Sequence, residues 1–129
     1  MVRNNHSDLV SEILLAYGAD PRWRLWRNAT GVARAYSGGQ IVRYGLVGSP
    51  DIIGILSGGV FIGLECKTGN AVQSKEQKAF EKMILQMGGR YRVIRTVGAA
   101  GEFLEQESVR IHERLRTPET PEGDAGSLL

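Results

Sequence analysis

Three residues in the middle of the chain, Asp51, Glu65 and Lys67, have side chains suited to metal-assisted hydrolysis. A hard divalent cation such as Mg²⁺ takes oxygen ligands from one or two carboxylates and completes its octahedron with water and substrate phosphate. A nearby lysine can help to deprotonate an attacking water or stabilise charge on phosphoryl oxygens. This chemistry requires the three side chains to lie together, and that depends on the strands that carry them.

The segments 51–56 and 60–67 are rich in β-forming residues and flank a turn at 57–59, Ser-Gly-Gly. This pattern predicts a hairpin with a turn built on glycine. Alternate residues of a strand share a face, so Glu65 and Lys67 are predicted to be neighbours.

The length of the turn decides where Asp51 lies. A three-residue turn pairs Leu56 with Val60 and, in the same register, sets Asp51 opposite Glu65. A two-residue turn would shift the pairing by one position and set Asp51 opposite Leu64.

Two carboxylates that face each other across a hairpin repel, so a bound cation is the expected compensation. Gly63 lies on the same predicted face and leaves room for a substrate. The alternative is purely structural. Asp51 would begin a strand after Pro50, and Glu65 with Lys67 would form an ordinary ion pair at the end of a sheet.

Apolar residues at helical spacing predict three helices. Ser7 or Asp8 is expected to cap the first helix, and Gly18 to end it. Ser74 opens the second helix, with Gln77 at the reciprocal position of a capping box. The predicted buried stripe of this second helix consists of Phe80, Met83, Ile84 and Met87.

Strands are predicted between and after these helices. Besides the hairpin they are Trp23–Trp26, Gln40–Val47 and Arg90–Thr96, and the third helix runs from about Ala100 to Leu115. This order predicts an α/β fold with a mixed central β-sheet flanked by helices. Residues 1–116 are expected to form one domain, followed by a disordered acidic tail at 117–129.

The composition fits one domain of a cytoplasmic protein. The chain has 129 residues, 42% of them hydrophobic, which is enough to bury one core. A lone cysteine, Cys66, excludes an internal disulfide, and no segment resembles a signal peptide or a membrane helix.

Charge is distributed unevenly along the chain. Residues 1–101 contain 13 Lys and Arg against 7 Asp and Glu, whereas residues 102–129 contain 3 against 7. The segment 21–50 has no acidic residue. Its five arginines are Arg22, Arg24, Arg27, Arg34 and Arg43. A polyanion such as DNA is the partner this segment favours, and the alternative is a solvated basic face.

Several ordered blocks of the sequence resemble the VRR-NUC family of the PD-(D/E)XK nuclease superfamily. The blocks are residues 26–31 (WRNATG), 48–54 (GSPDIIG), 64–67 (LECK), 74–77 (SKEQ) and 88–95 (GGRYRVIR). The resemblance extends from the first helix to about Val97. Four or more blocks in order are more specific than the Pro-Asp and Glu-x-Lys elements alone.

The resemblance implies a restriction-endonuclease-like core that binds Mg²⁺ or Mn²⁺. It implies that Asp51 and Glu65 are metal ligands, that the Cys66 carbonyl is a further ligand, and that Lys67 is the catalytic lysine. Gln77 looks like the family's active-site glutamine, a role compatible with the capping box.

Glu12 in the first helix looks like the additional acidic residue near the metal in this family. No local motif fixes its register, and a solvated glutamate is the alternative interpretation.

The function implied is a metal-dependent endodeoxyribonuclease, selective for DNA structures such as four-way junctions or flaps. Small stand-alone members of this family are similar to phage and bacterial proteins that act as homodimers on branched DNA. The resemblance therefore implies a homodimer. Two other functions remain open. The chain could be a nucleic-acid-binding module that has lost catalysis, or a metal-dependent hydrolase of a small phosphoester.

Overall fold

The computed structural model describes residues 5–34 and 38–116, and the predicted tail at 117–129 lies outside them. Three helices and seven strands follow one another within the described residues. They are α1 (His6–Tyr17), β1 (Ala19–Asp20), β2 (Trp23–Arg27), β3 (Gly31–Arg34), β4 (Ile41–Tyr44), β5 (Ile52–Leu56), β6 (Val60–Cys66), α2 (Lys75–Gln86), β7 (Arg90–Ile94) and α3 (Val97–Arg116).

A five-stranded sheet with the order β1-β2-β5-β6-β7 forms the centre of the protein. Its strands pair antiparallel, except that β6 and β7 are parallel. A parallel pair needs a crossover connection, and α2 provides it. The predicted α/β architecture, a mixed central sheet flanked by helices, is confirmed.

The main core lies between one face of the sheet and the pair of helices α1 and α3. Alternate residues of β2, β5 and β6 point into it and contact apolar side chains of both helices. The core residues of the sheet are Trp23, Leu25, Ile52, Leu56, Ile62, Leu64, Cys66 and Ile94. Helix α2 covers part of the opposite face, where Ile84 packs beside Gly63.

None of the helices in the described ranges combines the length and apolar character that crossing a membrane requires.

The hairpin of β5 and β6 adopts the predicted three-residue turn. Leu56 pairs with Val60, and the Gly59 N–H donates to the Leu56 carbonyl at 3.0 Å. Gly58 and Gly59 have φ angles of +92° and +81°, a region that side chains with a Cβ rarely adopt. The alternative two-residue turn is therefore wrong.

The N-cap of helix α1 is Asn5, not the predicted Ser7 or Asp8. The side chain of Asn5 accepts a hydrogen bond from the Asp8 backbone N–H at 2.8 Å. Asparagine caps as well as serine or aspartate, so the upstream residue takes this role and the prediction of Ser7 or Asp8 is wrong. His6 consequently becomes the first residue of the helix.

Helix α2 has the predicted capping box but not the predicted buried stripe. Ser74 and Gln77 make both reciprocal hydrogen bonds. Ile84 is buried, whereas Met83 is 38% exposed and Met87 is 81% exposed. The apolar side of the helix extends beyond the part of the sheet that it covers.

Strands β3 and β4 form a separate two-stranded antiparallel sheet. Every residue in both strands is exposed. The prediction of an extended segment at 40–47 is confirmed by β4. Strand β3 was not predicted, because Gly31 and Ala33 give it little β-forming character.

Candidate metal centre

Asp51 directly precedes β5, and its side chain makes a hydrogen bond to β6 just beyond the last backbone pair of the hairpin. The ladder of β5 and β6 ends at Ile52 and Leu64. Asp51 Oδ2 then accepts a hydrogen bond from the Cys66 backbone N–H at 2.8 Å. The carboxylate is thereby anchored to β6 next to Glu65, as the predicted register requires.

Glu65 has a buried carboxylate, and one of its two oxygens accepts no hydrogen bond from the described residues. Its side chain is 2% exposed, and Lys67 Nζ lies 3.9 Å from its Oε2. The same Oε2 accepts a hydrogen bond from Gln77 Nε2 at 3.0 Å. Oε1 is buried as well, yet it has no hydrogen-bond partner among the described residues. A buried carboxylate oxygen without a partner is costly, so a cation fits at this position.

The pKa of Glu65 reflects this environment. Burial and, after it, the neighbouring Asp51 carboxylate raise it to about 8, and the charge of Lys67 opposes the change. Two carboxylates in a buried site favour uptake of a proton or a cation between them. Burial also raises the pKa of the Cys66 thiol to about 12, so this side chain is a neutral part of the core.

His6 joins the two carboxylates, although no sequence motif points to it. Its Nε2 donates a hydrogen bond to Asp51 Oδ2 at 3.0 Å. One potential ligand atom from each of His6, Asp51 and Glu65 lies within 4.8 Å of the other two. The contact spans 45 positions in the sequence, so it depends on how α1 packs on the sheet.

Glu12 is not a member of this group. It is exposed and lines a shallow groove with Asn5, Thr68 and Arg95. Six positions separate it from His6, which rotates its side chain by about 240° around the helix axis. The structure therefore brings His6 to the carboxylates and leaves Glu12 outside.

Arg22 is the least available of the five arginines predicted to bind DNA. Its guanidinium forms ion pairs with Asp20 at 2.9 Å and Glu105 at 2.7 Å. It also lies over the ring of Trp23, 4.4 Å from the centroid. Hydrogen bonds to Asp20 and then Glu105 raise its pKa further. Its charge is largely neutralised by these two carboxylates.

The other four arginines are exposed and occupy two regions. Arg24 and Arg27 lie on β2, and Arg27 donates to the Ser11 hydroxyl at 3.0 Å. Arg34 and Arg43 lie on one face of the β3–β4 hairpin, because Arg43 pairs with Val32, two positions before Arg34. The predicted basic segment is thus divided between the central sheet and a projecting hairpin.

The sheet face opposite the main core is only partly covered by α2. The apolar surface at this edge of α2, here called the open face, consists of four sheet residues and two methionines at the end of α2: Trp26, Ile53, Ile55, Phe61, Met83 and Met87. A groove of about 600 Å³ runs along it between α2 and the loop that contains Leu46. Apolar surface of this extent is a feature of interaction sites.

Comparison of the chain with protein-family models and with curated proteins finds no match. The VRR-NUC resemblance therefore stays a prediction from the sequence blocks.

Proposed function

We propose that this protein is a metal-dependent nuclease with a restriction-endonuclease-like core of the VRR-NUC type. The observation that carries the proposal is the buried Glu65 carboxylate, whose Oε1 has no partner among the described residues while Asp51 and Lys67 lie beside it. A stable hairpin alone has no need for two adjacent carboxylates in a buried position.

Each residue of the cluster has a role that its contacts support. A bound divalent cation supplies Lewis-acid polarisation of a phosphodiester and lowers the pKa of a coordinated water. Asp51 and Glu65 hold that cation, and Gln77 fixes the orientation of Glu65 through the 3.0 Å hydrogen bond to Oε2. Lys67 stabilises negative charge that develops on the phosphoryl oxygens. The Cys66 carbonyl is proposed as a further ligand.

DNA is the proposed substrate because the exposed arginines are spread over two elements, β2 and the β3–β4 hairpin. Arg34 and Arg43 extend along the β3–β4 hairpin, which suits a long polyanion better than a small phosphoester. A module that only binds nucleic acid is the second candidate. The presence of Asp51, Glu65 and Lys67 together favours the enzyme, since binding alone does not require them.

We also propose that the active species is a symmetric homodimer that cuts branched DNA, such as four-way junctions or flaps. One subunit has one candidate metal centre among its described residues, whereas paired cuts need two centres related by symmetry. The open face supports this proposal. The third helix contributes little to such a contact, because Phe103, Leu104 and Ile111 are buried while Val109 is exposed.

A cleavage panel tests the function directly. Linear, flapped, nicked and four-way-junction DNA are incubated with the protein in Mg²⁺, Mn²⁺ or Ca²⁺. We expect cleavage with Mg²⁺ or Mn²⁺ and the fastest cleavage on a branched substrate. Tight DNA binding without cleavage under any metal condition would favour the binding module instead.

A further inference from the structure

The group formed by His6, Asp51 and Glu65 contains a nitrogen donor as well as two carboxylates. Two neighbouring carboxylates alone are not sufficient evidence for a metal site, because such pairs also occur without an ion. Here a second observation points to a ligand, because Glu65 Oε1 is buried without a partner among the described residues.

The spacing of the donor atoms suits octahedral coordination. Metal–ligand bonds of about 2.1 Å separate neighbouring ligand atoms of an octahedron by roughly 3.0 Å. His6 Nε2 and Asp51 Oδ2 are 3.0 Å apart. The three candidate ligand atoms, all within 4.8 Å of one another, are compatible with one shared ion.

The position of His6 is determined by its place in the first turn of α1. Asn5 caps the helix immediately before it, and Leu9, Val10 and Ile13 anchor the helix in the core. The imidazole is 49% exposed, so an ion from solvent can reach it.

We propose that His6 Nε2 is the third side-chain ligand of the metal centre and gives it a preference for Mn²⁺ over Mg²⁺. The inference rests on the metal centre of the proposed function and adds a ligand to it. Mg²⁺ is bound through oxygen and releases its water reluctantly, whereas imidazole is a ligand suited to transition ions. The imidazole ligates in its neutral form through Nε2, with the proton on Nδ1.

Manganese binding to the full chain tests this proposal without reference to DNA cleavage. Free Mn²⁺ is titrated by electron paramagnetic resonance, and Mg²⁺ affinity is measured by competition with bound Mn²⁺. The variant is His6→Ala, and the matched control is His112→Ala, an exposed histidine on α3. Circular dichroism verifies that both variants are folded.

We expect His6→Ala to weaken Mn²⁺ binding by at least about tenfold while Mg²⁺ affinity changes less than about twofold. His112→Ala should bind both ions as the unaltered protein does. Electron spin-echo modulation of bound Mn²⁺ should contain a nitrogen coupling from imidazole, and His6→Ala should lose it.

Equal weakening of both ions, or no nitrogen coupling in the unaltered protein, would overturn the proposal and reduce His6 to a residue that positions Asp51. Failure of the nuclease proposal is a different result. It would appear as nitrogen-coupled Mn²⁺ binding without cleavage of any DNA.

Discussion

Glu65 places an ionisable carboxyl group in a buried position. Its side chain is almost completely buried, but one oxygen has no partner among the described residues. The negative charge of Asp51 disfavours ionisation of Glu65, and Lys67 at 3.9 Å only partly offsets this effect. A bound cation would offset the free energy cost of this arrangement, which supports the proposed function.

Neutralising either carboxylate should abolish cleavage. We expect Asp51→Asn, Glu65→Gln and Lys67→Ala to reduce turnover at least about 10²-fold, since in the proposed function each removes a group that holds the metal or stabilises the transition state. DNA affinity should remain largely intact. The control is Glu12→Gln, which neutralises an exposed carboxylate outside the group and should retain activity. Near-normal turnover of a cluster variant at saturating metal would refute the assignment.

The metal-free protein should become less stable as the pH rises. The pKa of Glu65 is raised from 4.5 to about 8, so between these values the folded state holds a proton that the unfolded state has released. Its stabilising contribution is fully present below pH 4.5 and is lost as the pH passes about 8. Urea unfolding in EDTA from about pH 5 to about pH 9 measures this slope. Glu65→Gln should flatten it, and an identical slope in that variant would contradict the prediction.

At the level of elements, the start of α2 and the candidate metal centre share one side chain, that of Gln77. Gln77 Oε1 accepts from the Ser74 N–H at 2.8 Å, while its Nε2 donates to Glu65 at 3.0 Å. The amide therefore caps the helix with one atom and orients a carboxylate with the other.

Two substitutions separate these functions of Gln77. Gln77→Glu keeps the acceptor of the capping box but replaces the donor to Glu65 with a carboxylate. We expect it to retain the thermal stability of the metal-bound protein more closely than Gln77→Ala, yet to lose as much activity or more. Melting temperatures and cleavage rates of both variants measure this. Full activity of Gln77→Glu would show that the contact with Glu65 is unimportant.

The arginines should differ in their effect on DNA binding. Neutralising Arg43 with Arg43→Gln should reduce the slope of log K against log salt concentration by about 0.9 for each phosphate that this arginine neutralises. Arg22→Gln should leave that slope unchanged, because Asp20 and Glu105 already neutralise Arg22. Fluorescence anisotropy across a range of salt concentrations gives both slopes. A larger change in the Arg22 variant would argue against the hairpin as the DNA contact.

Local patterns in the sequence were sufficient for the hairpin that carries Asp51 and Glu65. Two glycines in a three-residue turn and the alternating apolar residues on either side of it determine the register of the hairpin. All of these signals lie close together in the sequence. The site residue His6 could not be found in this way, because its contact with Asp51 spans 45 positions. The location of His6 depends on how α1 packs against the sheet. The spacing of apolar residues in the sequence does not predict that packing.

The exposed stripe of α2 illustrates the same limit. Its amphipathic pattern correctly indicates an apolar side, but the pattern does not say what covers that side. Met83 and Met87 therefore were expected in the core and instead line the open face.

For the whole molecule, the open face is the surface through which two copies are proposed to associate. Met87→Lys should yield a monomer without loss of folding, since this side chain is 81% exposed and buries little in one subunit. Leu15→Lys on α1 is the control, because Leu15 is similarly accessible but lies outside the open face. Light scattering at micromolar concentration, with and without junction DNA, measures the mass. A monomeric unaltered protein that still makes two symmetric cuts in a junction would contradict the dimer.

The contact between His6 and Asp51 joins α1 to the central sheet across 45 positions of the chain. An ion held by both residues and Glu65 closes that long loop as a reversible cross-link. Because loop closure disfavours the unfolded chain and the ion binds only the folded one, its binding free energy adds directly to the docking of α1. The N-terminal helix should consequently resist proteolysis more strongly when the metal centre is filled.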